Sequence, residues 1–390
     1  RRMSSTIGDI DLAVTTHVPT SVIQYFCAYP KKQQVLDAGN TKASIQLRDG
    51  LRVDLMTADP ASFGSLLQHL TGSKHHNIAL REHANSLGYS MSEYGIKSVK
   101  TKKLHAFPDE TSLYNFLKLD YIPPELRENS GELQSATQKT LPKLVEISDI
   151  RGDLHIHSSF DTETSHDLGR SSIIDLIAKA NILKYDYIGL TEHNPSLSNH
   201  KPSNIYSLLH NKQDIISNNQ SKDLYLFNGL EIDITADGLR ALPDECLDLL
   251  DYAIVSIHSS FRQTKKLTTD RLITALSHPK VKILGHPTGR LLQEREGINI
   301  DWDRLFDFCL KNHKILEINS WPNRLDLPDV LVKEAVKLGV KLVINSDSHS
   351  LDDMGYIRYG VSVARRGWAQ KSDIINTLNL KNLKGVLNIK

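Results

Sequence analysis

From residue 151 to the C-terminus, strand-like and helix-like stretches alternate. That alternation limits the fold more than any other feature of the chain. The strand-like runs cover 153–158, 187–191, 224–232, 252–257, 282–284, 315–318 and 341–345. Between most of them lie amphipathic helical patterns, such as Ile173, Ile174, Leu176, Ile177 and Ala180, or Val330, Leu331, Val332, Ala335, Val336 and Leu338. Strands that alternate with helices form a parallel sheet. Seven such repeats in about 240 residues suit a closed barrel better than an open sheet.

The polar residues fall at the ends of these runs. His155 and His157 close the first, two residues apart and so on one face of a strand. His193 follows the second, Glu231 ends the third, His258 the fourth and His286 the fifth; Glu317 and Asn319 end the sixth, and Asp347 and His349 the seventh. In an α/β barrel the C-terminal strand ends converge on one mouth. A structural zinc closes its shell with four ligands. This mouth offers more than twice that number, which fits two or three ions with a carboxylate such as Glu231 bridging. The all-His/Asp/Glu set suits zinc, manganese or iron. An open site of this kind fits metal-assisted phosphoester hydrolysis.

The first 95 residues read as a small α+β unit. The run at 6–14 alternates, with Asp9 and Asp11 on one face and Ile10 and Leu12 on the other. Helical spacing follows at 19–29. A hairpin turns at Asp49-Gly50 and carries Asp54 on its second strand. Helices are predicted over 61–70 and 77–87. Three strand carboxylates in a small domain can hold a pair of magnesium or manganese ions, about 3.5–4 Å apart, for nucleotidyl transfer; exposed edge charges are the alternative. Residues 96–150 change character, with a lysine-rich start, a short helix at 113–117 and Pro123-Pro124, and read as a connector.

Two resemblances sharpen this reading. Gly8-Asp9-Ile10-Asp11, Arg52-Val53-Asp54, Thr71-Gly72-Ser73, Asn77 and Arg81 resemble the palm and thumb of family X DNA polymerases. The resemblance implies that Asp9, Asp11 and Asp54 carry catalytic metals. It implies that Arg2 and Gly8 touch a deoxynucleoside triphosphate, and that Asn77 and Arg81 face nucleotide and template. His69-Leu70 stands where the family usually has an aromatic pair, and the chain opens inside the palm motif, so polymerisation is expected to be impaired. Asp153-Leu154-His155-Ile156-His157, Thr191-Glu192-His193, Gly229-Leu230-Glu231, Ser256-Ile257-His258, His286-Pro287-Thr288-Gly289-Arg290 and Ser346-Asp347-Ser348-His349 resemble the PHP (polymerase and histidinol phosphatase) family. That implies a distorted seven-stranded (β/α)7 barrel over 151–390 with three metals. His155, His157, Glu231 and Asp347 would hold one. Glu231, His258 and His286 would hold the second. His193, His349 and a residue after the first strand would hold the third, with Asp167 preferred over His166 and Asp161. Arg290 is a candidate for a substrate phosphate or for a surface salt bridge.

The net charge of +1 supplies no whole-molecule field for nucleic acid. Any DNA contact must therefore come from local patches; Lys97, Lys100, Lys102 and Lys103 are one candidate, with a solvated basic loop as the alternative. Three scattered cysteines, without Cys-x-x-Cys spacing, argue for a reducing, cytoplasmic setting and against thiolate zinc. No apolar run reaches membrane-span length. The expected function is metal-dependent trimming of DNA 3′ ends in repair, beside a nucleotidyltransferase palm. A histidinol-phosphatase-like enzyme and a metal-stabilised scaffold are the alternatives.

Overall fold

The computed structural model describes residues 1–389. It divides into two compact units, Arg1–Pro142 and Lys143–Lys390.

The first unit contains β1 (Asp9–Thr15), α1 (Pro19–Cys27), β2 (Lys32–Ala38), β3 (Lys42–Leu47), β4 (Arg52–Ala58), α2 (Phe63–Thr71) and α3 (Lys74–Ser86). After these come β5 (Tyr89–Ser92), β6 (Gly95–Ser98), β7 (Leu104–His105), α4 (Glu110–Phe116) and α5 (Glu132–Gln138). The main sheet runs β1-β4-β3-β2, with β1 parallel to β4 and β3 antiparallel to it. Gly50 takes φ +89° at the Asp49-Gly50 turn, which closes β3 onto β4 as the hairpin reading predicts. Helix α3 starts ahead of the predicted position because the Ser73 side chain caps it, accepting from His76 N at 3.2 Å. Strand β2 escaped the sequence reading. It is a largely exposed edge strand, and so it lacks the apolar alternation that betrays a half-buried one.

Residues 96–142, expected as a connector, pack into this unit. Leu113, Tyr114, Leu117, Ile122 and Leu126 are fully buried. His76 joins the two parts, with Nδ1 2.7 Å from Glu132 Oε1 and Nε2 2.9 Å from the Tyr114 hydroxyl. Arg127, also fully buried, donates to Glu110 and to Ile122 O.

The second unit is a parallel barrel. Its strands are β8 (Gly152–Ile156), β9 (Tyr187–Leu190), β10 (Tyr225–Asp233), β11 (Tyr252–Ser256), β12 (Val281–Leu284), β13 (Ile315–Asn319) and β14 (Leu342–Asn345), paired in sequence order. Helices α6 (Ile173–Ile182), α7 (Pro202–Asn218), α8 (Lys265–Leu276), α9 (Trp302–Asn312), α10 (Asp329–Leu338), α11 (Ile357–Arg366) and α12 (Leu380–Leu387) complete it. The barrel nearly closes between its first and last strands: Ile156 bridges to Ser348, His157 N donates to Ser348 O at 2.9 Å, and Leu154 N donates to Asn345 Oδ1 at 3.0 Å.

Side-chain alternation explains where the site forms. One core cluster contains Leu154, Tyr187, Phe227, Tyr252, Ile254, Ile283, Ile315 and Val343, with Leu383 and Leu387 of α12 beneath. Stepping by two along the strands leads from Phe227 to Glu231 and Asp233, from Ile254 to Ser256 and His258, from Ile315 to Glu317 and Asn319, and from Val343 to Asn345 and Asp347. The same face is apolar at one end of the barrel and ligand-rich at the other. Glycine gives the large interior rings room: a Cβ on Gly189 would lie 1.9 Å from the Tyr252 hydroxyl.

Candidate metal centres

Four overlapping groups of His and carboxylate side chains gather at the C-terminal end of the barrel, and in each the ligand atoms lie within 4.8 Å of one another. They are His155, His157, Glu231 and Asp347; Glu231, His258 and His286; His157, His193 and His349; and His166, His193 and His258. Glu231 Oε1 lies 2.9 Å from His286 Nε2, and Glu231 Oε2 lies 3.0 Å from His193 Nδ1 and 3.3 Å from His155 Nε2. Asp347 Oδ1 is 3.1 Å from His157 Nε2.

Two of these contacts are hydrogen bonds, His286 Nε2 with Glu231 Oε1 and His157 Nε2 with Asp347 Oδ1, but other atoms of the cluster have none. His155 Nε2, His157 Nδ1, His193 Nδ1, Glu231 Oε2, His286 Nδ1 and His349 Nε2 are buried with no hydrogen-bond partner. His193 Nδ1 and Glu231 Oε2 are within ion-pair distance but lie off the hydrogen-bonding direction. Orphaned buried polar atoms are costly. Converging on common points, they fit divalent cations. The electrostatics differ from ring to ring: against its burial, the charges of Glu317, Asp347 and Glu231 raise His155 well above its ordinary pKa. Burial works against the charges of Glu231 and Asp347, but the surrounding histidines outweigh it and hold both carboxyls well below their ordinary pKa. Burial and neighbouring histidines push His157 well below its ordinary pKa, so its ring stays neutral, the form that binds a metal.

The backbone and a second layer of polar groups aim the ligands. His286 and Asp347 have φ of 25° and 54°, a region that non-glycine residues rarely enter. Glu317 Oε1 accepts from His155 Nδ1 at 2.7 Å. Asp233 holds two rings at once, with Oδ1 2.6 Å from His258 Nδ1 and Oδ2 2.8 Å from His166 Nε2. Asp233 escaped the sequence reading, although it stands two residues beyond Glu231 on the same face of β10. The loop after β8 also differs from expectation. His166 turns inward to Asp233, whereas Asp167 is 81% exposed, 3.6 Å from His349 Nε2, and joins none of the four groups. Asp161 is exposed and caps its own turn at Glu163 N.

A cavity of about 430 Å³ opens onto the cluster, bordered by His166, Asp167, Phe261, Arg295, Trp321 and Arg324 among others. Arg290 does not border it. Its guanidinium donates to the carbonyls of Arg324, at 2.8 Å, and Leu325.

In the first unit, β1 and β4 pair with Asp11 directly opposite Asp54 and Asp9 opposite Arg52. Burial, together with the neighbouring Asp9 and Asp54 charges, raises the pKa of Asp11 against the opposing charge of Arg52. Asp54 accepts from the Ser44 hydroxyl and from Arg52 Nε at 2.9 Å. Arg2, Gly8, Asp9 and Asp11 border one cavity of about 470 Å³, and Arg2 also pairs with Glu128 at 2.6 Å. Asn77 and Arg81 lie elsewhere: Asn77 bridges Gln68 and the His69 carbonyl, and Arg81 Nη2 is 3.2 Å from His69 Nδ1. Among the described residues no helix is long and apolar enough to cross a membrane.

The DNA polymerase beta thumb family model matches residues 66–128. Over 391 aligned positions the chain is 35% identical to the DNA polymerase/3′-5′ exonuclease PolX of Bacillus subtilis (strain 168), and the match covers 99% of this chain and 67% of that protein. The chain belongs to the PolX family. Its PHP-like part is also similar to a protein named as a probable phosphatase in Caldanaerobacter subterraneus, 24% identical over 220 residues, 53% of this chain and 82% of that one. A crystal structure of Leishmania infantum polymerase beta, a ternary P/T complex, aligns with 33% of the PolX-family chain and 64% of its own at 21% identity and a TM-score of 0.29.

Proposed function

We propose that the barrel hydrolyses phosphodiesters at DNA 3′ ends, and that the first unit is a nucleotidyltransferase palm acting on DNA and a deoxynucleoside triphosphate in the cytoplasm. The convergence of unpartnered histidine and carboxylate atoms at the barrel mouth carries the reading of the barrel. The 35% identity to a polymerase/3′-5′ exonuclease supports DNA as the substrate.

In this reading His155, His157, Glu231 and Asp347 hold one ion, and Glu231, His258 and His286 a second. His193 and His349 hold a third with His157, and His166 supplies the loop's contribution. Zinc, manganese or iron fits the donor set; magnesium or manganese fits Asp9, Asp11 and Asp54. Bound there, such ions supply Lewis-acid charge and an acidified water. The chain's own contribution is geometric. Glu317 fixes the tautomer and direction of His155, Asp233 does the same for His258, and the apolar end of the barrel keeps these groups rigid.

A primer-template assay with manganese tests the proposal on wild type, Asp9→Ala and His155→Ala. We expect His155→Ala to lose primer shortening by about 100-fold or more and Asp9→Ala to keep it. Wild-type shortening by His155→Ala would refute the assignment. The likeness to probable phosphatases favours one second reading, hydrolysis of a small phosphomonoester. Phosphate release from histidinol phosphate, with no shortening of the primer, would establish that reading instead.

A further inference from the structure

The segment 320–325 after β13 forms a closed loop over the metal cluster. Its base is pinned where Asn319 and Asp326 exchange backbone hydrogen bonds, one of them at 3.1 Å. The Asn319 side chain ties that base to the cluster by donating to Asp347 Oδ2 at 2.9 Å. Leu325 N donates to Trp321 O at 2.9 Å, and Arg290 braces the carbonyls of Arg324 and Leu325 from behind. Three residues of the loop border the cavity, Trp321, Asn323 and Arg324.

Arg324 is half-buried, and among the described residues its guanidinium has no hydrogen bond or ion pair. Beside it stands a second cation, Arg295, whose Nη2 donates to Gly289 O at 2.8 Å while its guanidinium lies 3.8 Å from the Phe261 ring centroid. Burial, and then the charge of Arg324, lower the pKa of Arg295. Asp326 and Glu294, the latter on the same rim, oppose that lowering, and an anion between the two guanidinium groups would further relieve their repulsion. Trp321 meets His349 and Tyr356 edge-on, at interplanar angles of 77° and 86°, and no ring stacks on its face. Two guanidinium groups and an indole ring, bordering a cavity of about 430 Å³, match one nucleotide.

We infer that Arg324, with Arg295, binds the phosphate of the terminal nucleotide, and that Trp321 stacks on its base. This rests on the reading of the barrel as a DNA-end hydrolase. Arg290 becomes a positioning residue, because it holds the loop that carries Arg324.

The chain's three tryptophans, Trp302, Trp321 and Trp368, all lie in the barrel unit, so tryptophan fluorescence of the full chain reports on that unit alone. The probe is a single-stranded oligonucleotide whose last linkage is a phosphorothioate. It is expected to quench wild type and not Trp321→Phe. Arg324→Ala is expected to weaken the quench titration and raise the KM for oligonucleotide shortening about tenfold, with Arg324→Lys recovering part of the loss. Trp321→Ala should raise KM about fivefold or more on the oligonucleotide, with Trp321→Phe recovering part of the loss. Melting temperatures check that each variant folds, and Arg324→Lys and Trp321→Phe keep the test alive if the alanine variants do not. The inference is overturned if wild type is not quenched, if Arg324→Ala binds and shortens the oligonucleotide like wild type, or if Trp321→Ala shortens it with the wild-type KM. Failure of the hydrolase reading looks different: His155→Ala would then shorten DNA at the wild-type rate, whatever the quench shows.

Discussion

His155 can offer Nε2 to the cluster because Nδ1 is already held by Glu317. That carboxylate is fully buried and accepts four donors. Oε1 takes His155 Nδ1 at 2.7 Å and Asn345 Nδ2 at 2.8 Å; Oε2 takes His286 N at 2.7 Å and Asn319 Nδ2 at 3.2 Å. An amide in its place would set its NH2 against two donors. Glu317→Gln is therefore expected to lose about 10–100-fold in metal affinity, measured by zinc or manganese titration of the stripped protein, and affinity equal to wild type would remove Glu317 from this role. Residues at this scale were unevenly legible. His155, His157, Glu231, His258, His286 and Asp347 stand at strand ends, where position alone assigns them to the mouth. The choice between Asp167 and His166 lies in a loop without periodicity, and only the turn of the backbone toward Asp233 brings His166 in. Arg290 read as a phosphate ligand or a surface salt bridge because it follows a strand; its guanidinium donates to backbone carbonyls two loops away.

At the scale of elements, the barrel strands were readable because each is buried on both faces and ends in a polar residue. The first unit was less so. Strand β2 is exposed, β7 has two residues, and the packing of 96–142 depends on single contacts that no periodicity reports. One such contact is Gly64 in α2. Its N–H donates to Phe107 O at 2.8 Å, and a Cβ there would lie 2.2 Å from the carbonyl carbon of Asp109, the residue that caps α4. Gly64→Ala must push α2 away from α4, so it is expected to destabilise the first unit by about 1–3 kcal/mol. Urea unfolding followed by circular dichroism measures this. If 96–142 were only a connector, the substitution would cost nothing, and the barrel's phosphodiesterase rate should be unchanged in either case.

At the scale of the whole molecule, each unit has a core of its own, and the candidate ions bind them by different chemistry. The palm carboxylates are largely exposed, while the barrel ligands are buried and tied to the strands that close the barrel. His157 donates its backbone N–H to Ser348 O at the seam, and its ring shares a ligand group with Asp347 from the far side of that seam. Ions that bind the native barrel and not the unfolded chain stabilise it by mass action, about 2.7 kcal/mol at a hundredfold excess over Kd. Chelation should remove that increment. For a unit of this size it amounts to about 5–10 °C in Tm, and it should appear in tryptophan fluorescence, which only the barrel contributes. Far-ultraviolet circular dichroism sees both units and should resolve a second component that chelation leaves in place. Restoring zinc or manganese should return the fluorescence transition to its starting point. A fluorescence transition indifferent to chelator and metal would mean that the histidine cluster is not a metal site, and both the hydrolase reading and the scaffold alternative would fall with it.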